Sequence, residues 1–145
     1  MRYWDASAIA PFIIEEPGTP IVQAWLSEDL TIASWALTRL EVASAIERLA
    51  REGRLSDVQR YAALGDLNEM AKTFAEVSDL AAVRLRALAV LGRYPLRAAD
   101  AAQLGAALLM AEADPGSISF VSLDRRLADA ARREGFSVLT WPEVP

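Results

Sequence analysis

The chain contains no cysteine and no histidine. Without cysteine there is no disulfide, no thiolate zinc site and no cysteine nucleophile. Without histidine there is no Ser-His-Asp triad, no histidine-ligated zinc and none of the commonest general base. Lysine is almost missing too: Lys72 is the only one among 15 basic residues, and the others are arginines. Any chemistry therefore rests on carboxylates, hydroxyls and guanidinium groups. No Walker A or dinucleotide-type glycine motif occurs, which argues against a nucleotide cofactor. The apolar stretch from Ala6 to Ile14 is flanked by Asp5, Glu15 and Glu16 and is too short to span a bilayer, which takes about 20 residues. A secretory signal would need a basic leader and a small-residue cleavage site. The expectation is a cytoplasmic protein with no membrane association.

Positive charge is also in deficit. Twenty acids against 15 bases leave a net charge of −5. Nucleic-acid binders usually present a basic surface, so this balance counts against one. Two bound divalent cations would bring −5 to −1, and arginine suits bidentate phosphate contacts better than lysine. Most of the arginines are expected to serve solvated helix faces and salt bridges.

What is present is enough for one folded domain, 1–145. A length of 145 residues and 53% hydrophobic content support a real core. Strands are expected at 2–4, 30–33, 73–77, 118–122 and 137–140. Helices are expected at 6–15, 20–26, 34–51, 56–72, 78–91, after Pro95 through Asp100 to about 113, and at 124–134, with Gly53 and Gly135 as C-terminal stops. Alternating strands and helices predict an α/β fold: a parallel sheet covered on both faces. The hairpin of helices at 34–72 reads as an addition to that core.

Four acids stand out against this frame. Asp5 ends the first strand and Asp124 follows the 118–122 strand; alone, each reads as a helix N-cap. Glu41 completes Thr38-x-x-Glu41, a capping-box pattern, yet shares a helical face with Leu37, Ala45 and Leu49. Asp100 shares a face with Leu96, Leu104 and Leu108, so its charge points inward, although near a helix start it would also complement the dipole. A buried carboxylate is costly unless paired, hydrogen-bonded or metal-bound. Jointly, all four lie near helix N-termini. In a parallel sheet those positions collect along the carboxyl edge, where ligands bind. Carboxylates gathered there repel one another, and a hard divalent cation relieves the repulsion. Oxygen-only ligands suit Mg²⁺ or Mn²⁺.

The order of the segments Asp5-Ala6-Ser7-Ala8, Leu40-Glu41-Val42, Arg97-Ala98-Ala99-Asp100-Ala101 and Phe120-Val121-Ser122-Leu123-Asp124-Arg125-Arg126-Leu127 resembles the PIN domains. Within that family it resembles the VapC-type toxins of toxin–antitoxin pairs. The resemblance covers nearly the whole chain. It implies a three-layer α/β/α sandwich and a metal-dependent endoribonuclease. Asp5, Glu41, Asp100 and Asp124 would surround the metal, and Ser7 matches the family's small hydroxyl residue. It also implies a cognate antitoxin whose tail covers the site, and a homodimer. Some members carry a further acid after the last Asp; here Arg125 and Arg126 follow, which puts a second metal in doubt.

The residues support this chemistry on their own terms. Phosphodiester hydrolysis needs an activated water and relief of charge at phosphorus, and a carboxylate-held cation provides both. Asp5 and Asp100 are the expected main ligands, with Glu41 and Asp124 binding directly or through water. Ser122 and Arg97 are secondary candidates for orienting groups or phosphate contacts. Ile13, Ile14, Val22, Trp25, Leu26 and the Leu37–Leu49 helix are candidates for a partner groove. Two other readings remain. One is an inactive PIN-like interaction module. The other is a phosphatase with Asp5 as nucleophile, although Ser7 stands where that chemistry wants a second Asp.

Overall fold

A computed structural model of the chain describes residues 1–142. The first strand, β1 (Arg2–Trp4), lies at the middle of a five-stranded sheet. On one side of it stand β2 (Ile32–Trp35) and β3 (Ala75–Val77); on the other stand β4 (Ser119–Val121) and β5 (Ser137–Leu139). Every pairing is parallel, with Tyr3 opposite both Ala33 and Phe120, and Trp4 opposite Val121.

Strand alternation sends successive side chains to opposite faces. Tyr3, Trp35 and Phe120 enter one core, where they meet α5 (Leu80–Leu91), α6 (Ala98–Ala111) and α7 (Arg125–Arg133). The Tyr3 and Phe120 rings stack with centroids 5.4 Å apart. Trp4, Ile32 and Val121 enter the other core, with α1 (Ala6–Ile13), α2 (Thr19–Glu28), α3 (Thr38–Arg51) and α4 (Asp57–Ala71). The result is the expected α/β/α sandwich with a parallel central sheet. The helical hairpin proves to be part of it: Val42, Ile46, Ala63 and Leu67 pack into the Trp4 core.

Helix ends follow sequence chemistry. Ser56 caps α4 with a reciprocal Gln59 bond, a complete capping box. Gly53 and Gly135, at φ +74° and +101°, close α3 and α7 with paired bonds from Gly53 and Arg54 and from Gly135 and Phe136 back into the last turn. The largest departure lies at residues 34–37. The helix expected from Ser34 begins at Thr38, and the strand shifts to Ile32–Trp35, whose four residues are all buried. Burial on both faces favoured strand over the helical pattern. The first helix ends at Ile13 rather than Glu15.

The chain passes from β1 outward to β2 and β3, then returns to β4 and β5 on the far side. Its direction across the sheet reverses between β1 and β4. At such a reversal the loops leaving two neighbouring strands part in opposite directions and open a crevice at their carboxyl ends. Asp5 and Asp124 stand there, each just beyond its strand.

Candidate active site

Asp5 does two jobs at once. It is the N-cap of α1, its Oδ1 accepting from the Ala8 amide at 3.3 Å. It also lines the crevice while only 3% exposed. The Ser7 hydroxyl donates to Asp5 Oδ1 at 2.7 Å and lies 3.0 Å from Oδ2. Burial pushes the Asp5 carboxyl up to about 7; the Ser7 and Ala8 bonds pull against that rise, and the nearby charge of Asp124 adds to it. Ser7 Oγ in turn accepts from the Leu123 amide at 2.9 Å and lies 3.3 Å from Ser122 Oγ. Ser122 Oγ accepts from the Asp124 amide at 3.1 Å. These two hydroxyls tie the loop after β1 to the loop after β4. Ser7 is thus more than a first-turn hydroxyl, and Ser122 stands behind Asp124.

Glu41 does not complete a capping box. Leu37 is the N-cap of α3 and makes no side-chain cap bond. Glu41 Oε1 instead accepts from Gln103 Nε2 at 2.9 Å, across to α6. The fully buried column of α3 is Thr38, Val42 and Ile46, whereas Leu37 is exposed. Glu41 stands on the shoulder of that column, half-buried rather than within the apolar stripe. Burial raises its carboxyl to about 6, the Gln103 bond opposes this, and Asp100 adds to it.

Gln103 was not anticipated from sequence. It is 1% exposed on α6 and forms a hub. Its Oε1 accepts from the Tyr3 hydroxyl at 2.6 Å, and its Nε2 also donates to Thr38 Oγ1 at 3.0 Å. It joins β1, α3 and α6 behind the acids. The available signal was an amide in an otherwise apolar or small stretch, one turn past Asp100.

Asp100 sits in the first turn of α6, with its side chain 19% exposed and Arg97 Nε 3.7 Å away. Burial raises its carboxyl, as does the charge of Asp124, while Arg97 lowers it. Its charge thus faces a partly open site rather than the deep interior. Asp124 caps α7, accepting from the Leu127 amide at 3.0 Å.

All four acids, with Ser7 and Arg97, line one cleft of about 420 Å³. Every candidate ligand is a carboxylate or hydroxyl oxygen. Among the described residues, no three carboxylates are gathered as a ready-made metal cage.

A family model for the PIN domain matches residues 2–133. The chain belongs to the PIN-domain family. No curated protein matches it significantly. Among solved structures, PAE2754 from Pyrobaculum aerophilum is similar over 97% of this chain and 89% of its own, at 22% identity and a TM-score of 0.61. FitAcB from Neisseria gonorrhoeae is similar over 96% of both chains, at 16% identity and a TM-score of 0.66. FitAB bound to an IR36 DNA fragment is similar over 100% of this chain and 98% of its own, at 15% identity and a TM-score of 0.67. At these identities the likeness establishes the PIN fold. PIN domains are generally nucleases.

Proposed function

We propose that residues 1–145 act as one PIN domain that hydrolyses RNA phosphodiester bonds with Mg²⁺ or Mn²⁺, as the toxin of a type II toxin–antitoxin pair. The observation that carries this reading is the convergence of Asp5, Glu41, Asp100 and Asp124 on one cleft at the sheet reversal. The donor set fits a hard cation. Mg²⁺ usually takes only one or two carboxylates directly and keeps several waters, so it needs no ready-made cage. Asp5 and Asp100 would be its main ligands, with Glu41 and Asp124 binding directly or through water. When bound, such a cation supplies a water of lowered pKa and offsets charge on the phosphate. Ser7 holds Asp5 in orientation, and Gln103 does the same for Glu41. One cation suffices in this reading, because Arg125 and Arg126 occupy the positions where a further acid would favour a second.

The test is direct. Purified protein should cleave RNA with Mg²⁺ or Mn²⁺ and lose that activity in EDTA. Full cleavage in EDTA would end the reading. The open spacing of the carboxylates favours one rival, an inactive PIN-like interaction module. Calorimetry showing no Mn²⁺ binding would decide for it.

The partner in this reading is a small antitoxin. Val22 and Trp25, expected to help form its groove, are buried in the core with Trp4 and are unavailable. Ile13, Ile14 and Leu49, expected in the same groove, do line a cleft of about 460 Å³ further along α1, together with Leu55. In this reading an apolar antitoxin segment seats there and its tail covers the acids. A homodimer is supported by α5, whose outward Leu85 and Leu88 are 69% and 62% exposed. Light scattering showing a monomer at micromolar concentration would count against it. No helix among the described residues is long and apolar enough to cross a membrane. The proposed place of action is the cytoplasm, where RNA and antitoxin are met.

A further inference from the structure

Beside the acid cleft lies a second one, of about 540 Å³. Asp100, Leu123, Asp124 and Arg97 belong to both clefts, so the two are continuous. The second extends outward past Arg125 and Arg126. It therefore carries Asp100, Asp124 and Arg97 where it meets the first cleft, and the guanidinium groups of Arg125 and Arg126 beyond.

Those three arginines have little structural employment. Arg2, Arg60, Arg93 and Arg133 are each held by a carboxylate at Glu28, Glu47, Glu134 and Asp129 respectively. Arg125 and Arg126 have no ion pair among the described residues, and Arg97 is 85% exposed with only a 3.7 Å approach to Asp100. Their positions also oppose helix electrostatics. Arg125 and Arg126 open α7 and Arg97 precedes α6, at the ends where a helix carries partial positive charge and favours acids. Basic residues placed there lose stability in the free protein, and an anion held between them recovers it.

We propose that Arg97, Arg125 and Arg126 form a subsite for a backbone phosphate flanking the scissile one, on single-stranded RNA. The inference rests on the nuclease reading for its ligand, but not for its test. It explains how a chain of net charge −5 holds a polyanion: the cation cleft takes one phosphate and the guanidinium cleft takes its neighbour. Planar guanidinium groups suit bidentate phosphate contacts. The same residues account for the missing extra acid after Asp124: the position is given to substrate binding rather than to a second metal.

The experiment measures binding, by fluorescence anisotropy, of a labelled unstructured single-stranded RNA to the full chain in EDTA, across a range of salt. EDTA removes metal-bridged contacts, so the signal reports what the arginines hold. Arg125→Gln/Arg126→Gln and Arg97→Gln should each weaken binding roughly tenfold at low salt. For every phosphate no longer neutralised, the slope of log affinity against log salt should flatten by about 0.7. Arg84→Gln on α5, which removes the same single charge as Arg97→Gln, should leave both values near wild type. In cleavage assays with Mn²⁺ the cleft variants should raise KM with little change in kcat. Wild-type affinity and slope in the cleft variants would overturn the inference, as would an equal loss in Arg84→Gln. The two readings fail separately. Arginine-dependent binding without cleavage in Mn²⁺ sinks the nuclease reading alone, and cleavage that ignores the three arginines sinks the subsite alone.

Discussion

At the scale of single residues, Asp5 and Asp124 each combine a cap with a place on the cleft, so a substitution must separate the two. Asparagine caps about as well as aspartate. Asp5→Asn should therefore keep the fold, and its melting temperature in EDTA should equal or exceed that of wild type, because a buried charge beside Asp124 is removed. Asp100→Asn should behave likewise. Both should lose more RNA cleavage than the roughly 10–100-fold typical of groups behind a metal ligand. Asp114→Asn, in an exposed turn away from the cleft, should keep activity. Wild-type cleavage by both cleft variants would show that the acids are only caps. Gln103 offers the complementary case. Gln103→Met keeps volume but leaves the Tyr3 hydroxyl and Glu41 without their partner, at about 2 kcal/mol by chemical denaturation. The Gln103 bond lowers the Glu41 carboxyl, so without it the acidic limb of the pH–activity profile should move to higher pH. An unmoved limb would remove Gln103 from the site's support.

Among the elements, the α5–α6 pair is the most tightly constrained. A Cβ on Gly105 would stand 2.9 Å from the Val83 carbonyl oxygen and 3.0 Å from the Ala87 amide nitrogen. Both are backbone atoms and cannot swing away. Gly105→Ala should therefore destabilise the protein by about 1–3 kcal/mol despite alanine's better helix propensity. Because α6 also carries Asp100 and Gln103, cleavage should fall alongside the melting temperature. A stabilised Gly105→Ala variant would show that the two helices can part freely. At Gly65, by contrast, nothing lies within 4 Å of a Cβ, so the same substitution meets no clash.

For the whole molecule, two carboxylates of the cleft add a pH-dependent contribution to stability. Burial raises Asp5 to about 7 and Glu41 to about 6, above their ordinary values in an unfolded chain of about 4. Between those limits the folded state holds protons that the unfolded state has released. Linkage then makes this contribution favour the fold at low pH and fade as pH rises toward 7. The metal-free melting temperature of Asp5→Asn/Glu41→Gln, minus that of wild type, should grow from pH 5 to pH 8. A flat difference would mean that neither carboxylate is desolvated. Mn²⁺ should reverse the trend in wild type, since its ligands must shed their protons and binding tightens as they do.

Strand and helix alternation, the helix stops at Gly53 and Gly135 and the ordered set of acids were legible from the chain alone, because each depends on local pattern or on residue type. That the candidate ligands are all oxygens followed from the absence of histidine and cysteine. Residues 34–35 fall in strand rather than helix because the single β-favouring Trp35 is too weak a local signal beside the helical pattern that follows; the sheet's two covered faces decide it. The partner of Glu41 was equally out of reach, since Gln103 lies 62 residues away and the pattern around Thr38 imitates a cap. The parallel order β3-β2-β1-β4-β5 brings Asp5 beside Asp124, and with it the cleft, the raised carboxyls and the guanidinium rim. Sequence specified the groups, while distances between them belong to tertiary packing, because desolvation and repulsion act only once the chain has closed around them.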